Sequence, residues 1–138
     1  MNRREAREQA FVLIFERSIN HDTVSRIIDA ASLADDAIVD EYAEETALGV
    51  EKEEEAIDAR IAAHIRAWKM DRLSRVSLAL LRLSIYEMTC RKDVPVSVSI
   101  NEAVNLAKKY GCAEDAPFVN GLLGSVAKEL EKADETDA

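Results

Sequence analysis

Arg3, Arg4 and Arg7 open a chain of 138 residues whose formal net charge is -9. If "NRREAREQAFVLIF" (2–15) is a helix, three cations sit at the positive end of its macrodipole, at a cost of roughly a few tenths of a kcal/mol each. A helical advance of about 100° per residue gathers them within one ~100° arc. Phe11 and Phe15 lie in or beside that arc, whereas Glu5, Glu8 and Glu16 take the other side. Guanidinium forks next to aromatic rings suit single-stranded RNA, which presents phosphates and unstacked bases. A plainer reading fits too, with Phe11 and Phe15 in the core and arginines that merely solubilise an N-terminus. Geometry alone leaves both open.

Catalytic chemistry has less support. His64 falls on the apolar stripe of its helix and reads as packed or partly exposed, and His21 lies in a turn with no adjacent nucleophile. Cys90 and Cys112 match neither a zinc spacing nor a disulfide framework, and read as small buried thiols in a reducing cytoplasm. Gly49, Gly111, Gly121 and Gly124 match no phosphate-binding pattern. The acidic run 51–55 reads as a solvated helix start. We expect no enzyme, no cofactor and no metal.

The charge is unevenly spread: residues 1–28 carry +1, 29–58 carry -11, 59–112 carry +6 and 113–138 carry -5. Local basic patches therefore survive an acidic total, which leaves room for a polyanion partner with a small footprint. With 48% hydrophobic residues the chain is long enough for one buried core. Four glycines and two prolines leave little turn material for a sheet. No apolar run approaches the ~20 residues of a membrane span, and the start resembles no signal peptide.

Apolar periodicity predicts helices nearly throughout. The first covers about 3–19. A second, about 22–33, has Asp22 as N-cap. A third opens at Asp35 or Asp36, with Ile38 and Val39 inside. A fourth stretch through 51–68 sets Ile57, Ile61, His64, Ile65 and Trp68 on one face, and Gly49 either breaks or thins the helix before it. The most apolar segment, capped by Asp71, predicts a central helix through Met88 contacted from several sides. The next starts between Pro95 and Ser99, where Ser99 and Glu102 fit a capping box, and ends at Lys108, Lys109 and Gly111. The last begins near Asp115 and Pro117 and points Phe118, Leu122, Val126 and Leu130 inward. Residues 1–130 then form a single all-α domain, a compact bundle of six to seven helices, followed by a charged, frayed tail at 131–138.

Four stretches together resemble the bacterial transcription antitermination factor NusB family: "RREAREQA" (3–10), "LLRLSIYEM" (80–88), "DVPVSVSINEAVNLAKKYG" (93–111) and "FVNGLLGSVA" (118–127). The resemblance implies two packed three-to-four-helix subdomains and a cytoplasmic, non-enzymatic role. Its implied partners are boxA-like single-stranded RNA of ribosomal RNA leaders, the small-subunit ribosomal protein NusE and the transcription elongation complex. Some NusB-like proteins self-associate, so a homodimer is also admitted. Carried over to matching positions, Arg3, Arg4 and Arg7 are the RNA-binding start, and Phe15 stands where the family usually has a tyrosine. Glu114, Asp115, Phe118 and Asn120 match the other side of the RNA surface, although Phe118 equally heads an apolar stripe. Asn101 and Glu102 read better as caps and interhelix hydrogen bonds, and Gly121 as a site of close helix packing.

Departures also matter. Ser77 and Leu78 stand where family members commonly carry charged residues near the NusE surface, and Gly124 replaces a common acidic residue. Arg72, Arg75, Ser77 and Arg82 are candidates for the partner surface, with interhelix salt bridges as the alternative. With the resemblance in hand, RNA contact becomes the favoured role of the first arginines, a phosphate backbone supplying their missing negative charge. The competing readings are a protein-binding module that has lost the RNA, and the RNA-binding domain appended to some ribosomal-RNA cytosine methyltransferases. A chain of this length without a cofactor-binding domain speaks against the latter as an enzyme.

Overall fold

A computed structural model describes residues 1–35, 38–65 and 67–137, without the side chains of 34, 35, 67, 68 and 134–137. Asp36 as a cap and the placement of the Trp68 side chain therefore lie outside the described residues. The elements are α1 (Arg3–Asn20), α2 (Val24–Asp35), α3 (Glu41–Ala63), a 3-10 turn (Ala67–Arg72), α4 (Arg75–Cys90), α5 (Val96–Tyr110) and α6 (Asp115–Asp137). No strand occurs among the described residues.

Several helix starts differ from the expected caps, and in each case a different side chain reaches the free N–H groups. Asn2 caps α1 by accepting from the Glu5 N–H at 2.8 Å, and His21, in the left-handed region at φ 57°, ends it. At α2, Thr23 accepts from the Arg26 N–H and Glu51 accepts from the Val24 N–H. Asp22 turns instead to the N–H of Thr23. Asp40, not Asp35, caps α3 through the Tyr42 N–H, which leaves Ile38 exposed outside the helix. Ser74, not Asp71, caps α4. Helix α5 starts directly after Pro95, within the expected range, so Ser99 lies a turn inside and no capping box forms. Its buried hydroxyl bonds Ser84 and Glu87 instead. Gly49 does not interrupt α3; the Tyr86 ring of α4 fills the space its Cβ would need. Gly121 has open space around it, so close helix packing is not its role.

Packing places α4 at the centre, in contact with α1 and α3 on one side and α5 and α6 on the other. Leu80, Leu81, Leu83 and Ile85 are at most 1% exposed, each worth about 1.5–3 kcal/mol of burial. A continuous apolar core joins both halves through them.

The polar expectations shift as well. Glu51 and Glu54 of the acidic run are not simply solvated: both pair with Arg17 at 3.1 and 2.8 Å. His64 ends α3 partly exposed, as expected, and meets Glu129 of α6, which also takes Arg60 at 2.8 Å, so it bridges two helices. Cys90 and Cys112 are free thiols and both are exposed, at the end of α4 and in the α5–α6 connection, where side chains face water.

Candidate nucleic-acid interface

The start of α1 separates its three arginines. Arg7 is 3% exposed and lies against the fully buried carboxylate of Glu87. Its Nε donates to both oxygens at 3.0–3.1 Å and its Nη2 sits 3.0 Å from Oε2. The Tyr42 hydroxyl also donates to Glu87, as does Ser99 Oγ at 3.1 Å. Burial and the adjacent Glu87 carboxylate hold the Tyr42 phenol above its ordinary pKa. Arg7 is thus an interior residue, not a surface RNA ligand. The expected basic and aromatic arc coincides with the buried face of α1, which also carries Ala10, Phe11, Ile14 and Ser18.

Arg3 and Arg4 remain outside. The Arg3 guanidinium stacks 3.9 Å from the Tyr42 ring centroid and 3.6 Å from Asp93, which also lies 3.4 Å from Arg91. Arg4 is 74% exposed and donates to Glu102 of α5 through Nε and Nη2, at 3.3 and 3.0 Å. Each arginine therefore already has a carboxylate from elsewhere in the fold. The dipole cost is met by Glu87, Asp93 and Glu102, and no phosphate is required for it. Exposed pairs of this kind are worth about 0–1 kcal/mol, so exchanging Glu102 for a phosphate costs little.

Beside Arg4 runs the outer ridge of α5. Asn101, Asn105, Lys108 and Lys109 are all exposed. On the α1 side, Glu8 accepts hydrogen bonds from Lys109 Nζ and the Tyr110 hydroxyl, and these hold its carboxyl below the usual range. On the α6 side, Asn101, Val104 and Lys108 face Ala116, Pro117 and Asn120 across a cavity of about 440 Å³. The ridge thus joins Arg4 to Asn120. The sequence alone does not single out Asn105, and the two lysines are sufficiently explained as charges suited to a helix C-terminus. The position of α5 between α1 and α6 sets them on the same face as Arg4 and Asn120.

The remaining candidates divide. Glu114 is exposed in the α5–α6 connection. Asp115 is buried, and its Oδ1 accepts from the Ser74 and Ser77 hydroxyls, both at 2.6 Å. Its Oδ2 accepts from the Cys112 N–H at 2.7 Å. It ties the start of α6 to the start of α4, which corrects its reading as an RNA ligand. Phe118 is half-buried and lines a cavity with Ala63, His64, Ile65 and Lys69, apart from the one that Asn120 lines. Phe15 is half-buried, its ring centroid 5.8 Å from that of Phe11.

Asp115 carries a pH prediction. Burial pushes its carboxyl up, but the bonds from Ser74, Ser77 and Cys112 outweigh it and leave the carboxyl below its ordinary value. A depressed folded value stabilises above the unfolded pKa, about 3.9, and that stability is lost as pH falls through the folded value. Asp115→Asn is expected to cost about 1–3 kcal/mol at pH 7. The gap in melting temperature from the parent should narrow below about pH 4; thermal melts across pH check this.

Two of the four partner-surface candidates are interior. Ser77 is 1% exposed and held by Asp115 and Ser74. Arg82 is buried in a two-pronged pair with Asp58 at 2.9 and 2.8 Å, and meets Glu54 at 3.0 Å. Both are corrected from partner contacts to helix-packing groups, because their polar atoms are consumed within the bundle. Arg75 is exposed and donates to the Ser18 carbonyl at 3.0 Å, and Arg72 is exposed in the 3-10 turn.

Comparison with known proteins follows the same outline. The family model described as the NusB family matches residues 4–128. A transcription antitermination protein NusB of Acetivibrio thermocellus is 42% identical over 139 residues, covering 97% of this chain and 94% of its own. That of Clostridium novyi is 39% identical over 132 residues, covering 93% and 99%. Among solved structures, T. maritima NusB has a TM-score of 0.80 at 33% identity, covering 94% and 92%. A NusB in a crystal with NusE and double-stranded RNA has a TM-score of 0.82 at 25% identity, covering 92% and 96%. Among the described residues no helix is long and apolar enough to cross a membrane.

Proposed function

The chain belongs to the NusB family, and from that premise we propose that the face running from Arg3 and Arg4 over the α5 ridge to Asn120 takes single-stranded, boxA-like RNA. The protein is a transcription antitermination factor that binds RNA and NusE; it is an adaptor, not an enzyme. It acts in the cytoplasm, on the transcription elongation complex. The observation that carries the RNA face is the run of exposed cations and amides joining α1, α5 and α6. Arg4 and Lys108 supply phosphate contacts, and Asn101, Asn105 and Asn120 supply donors and acceptors for base edges. NusE takes a separate surface, for which Arg72 and Arg75 are the accessible candidates.

A protein-only adaptor is the second reading, favoured by the internal carboxylate that each of Arg3, Arg4 and Arg7 already holds. Titrating labelled boxA-like and scrambled RNA, with and without purified NusE, separates the two. The RNA-binding reading expects preference for the boxA-like sequence, strengthened by NusE. Equal affinity for both RNAs favours the protein-only reading.

A further inference from the structure

Three aromatic rings cluster where α1 meets the end of α5, and they differ in access. Phe11 is buried, Phe15 is half-buried and Tyr110 is 43% exposed. The Tyr110 ring is also fixed in place. Phe11 stands behind it at 5.0 Å between centroids, and its hydroxyl is tied to Glu8. Lys109 Nζ lies 5.3 Å from the ring centroid on a side chain that is itself 61% exposed. Arg4 lies one turn of α1 before Glu8.

An exposed, preoriented ring beside exposed cations is what unstacked bases require, because every base has a π-face and ordering the ring has already been done by the fold. We propose that Tyr110 is a stacking platform for one base of the bound RNA, with Lys109 leaving the ring to contact the neighbouring phosphate. This rests on the RNA-binding reading and assigns the stacking role to Tyr110 rather than Phe15.

The test compares the parent with Tyr110→Phe and Tyr110→Leu in boxA-like RNA affinity and melting temperature. Tyr110→Phe keeps the ring and is expected to bind within about two-fold of the parent. Tyr110→Leu keeps apolar contact with Phe11 but loses the π-face, and is expected to bind roughly ten-fold more weakly. Parent-like affinity in Tyr110→Leu overturns the platform while leaving the RNA reading intact. Absence of RNA binding by the parent overturns both. Should Tyr110→Leu melt early, ultraviolet crosslinking of 4-thiouridine-substituted RNA to the parent chain decides independently. An adduct on Tyr110 supports the platform, and adducts confined to other segments overturn it.

Discussion

Replacing Arg7 by alanine lowers stability by about 3–5 kcal/mol, or roughly 10–20 °C in melting temperature for a domain of this size. The cause is not the lost attraction alone. Glu87 is fully buried, and without the guanidinium it keeps only Tyr42 and Ser99 as partners for a charge that water cannot reach. Arg4→Ala, whose pair with Glu102 is exposed, is expected to shift the melting temperature by only a degree or two. Differential scanning calorimetry of both variants reads the contrast. A fully stable Arg7→Ala with weakened RNA binding would return Arg7 to the surface role that its position beside Arg3 and Arg4 first suggests.

The second large effect belongs to Arg82. Alanine there strands Asp58 and removes one of the two cations on Glu54, with an expected cost of about 2–4 kcal/mol. Glu54 keeps Arg17, which is why the loss should be smaller than at Arg7. The double variant Arg82→Ala, Asp58→Ala should recover part of the loss, since it removes the orphaned carboxylate as well. If Arg82 instead served NusE, its alanine variant would melt like the parent and lose only partner affinity.

Residues 3–130 show their helices plainly, since apolar stripes at a 3.6 period and scarce glycine and proline admit little else. The caps are less legible: Asp22 and Thr23, or Asp35, Asp36 and Asp40, can all accept a cap hydrogen bond, and no local pattern chooses among them. The site divides along the same line. Arg4 and Asn120 stay at the surface, where a role read from a local motif needs nothing from distant parts of the chain. Arg7, Asp115, Ser77 and Arg82 turn inward toward partners that no local motif contains: Glu87 is 80 residues from Arg7, Asp115 is 38 from Ser77 and 41 from Ser74, and Asp58 is 24 from Arg82. A helical wheel gives the angle between side chains, but not which side the rest of the fold covers.

Salt dependence of RNA affinity tests the central claim most directly, using the parent and the variant Arg3→Ala, Arg4→Ala, Lys108→Ala. All three side chains are exposed, so the variant is expected to melt within a few degrees of the parent. Single-stranded RNA contributes a slope of about 0.7 per phosphate contact in log affinity against log salt. Loss of three cations should flatten that slope by roughly two units and weaken binding at low salt. A variant that matches the parent in both slope and affinity would contradict the assignment of this face to RNA.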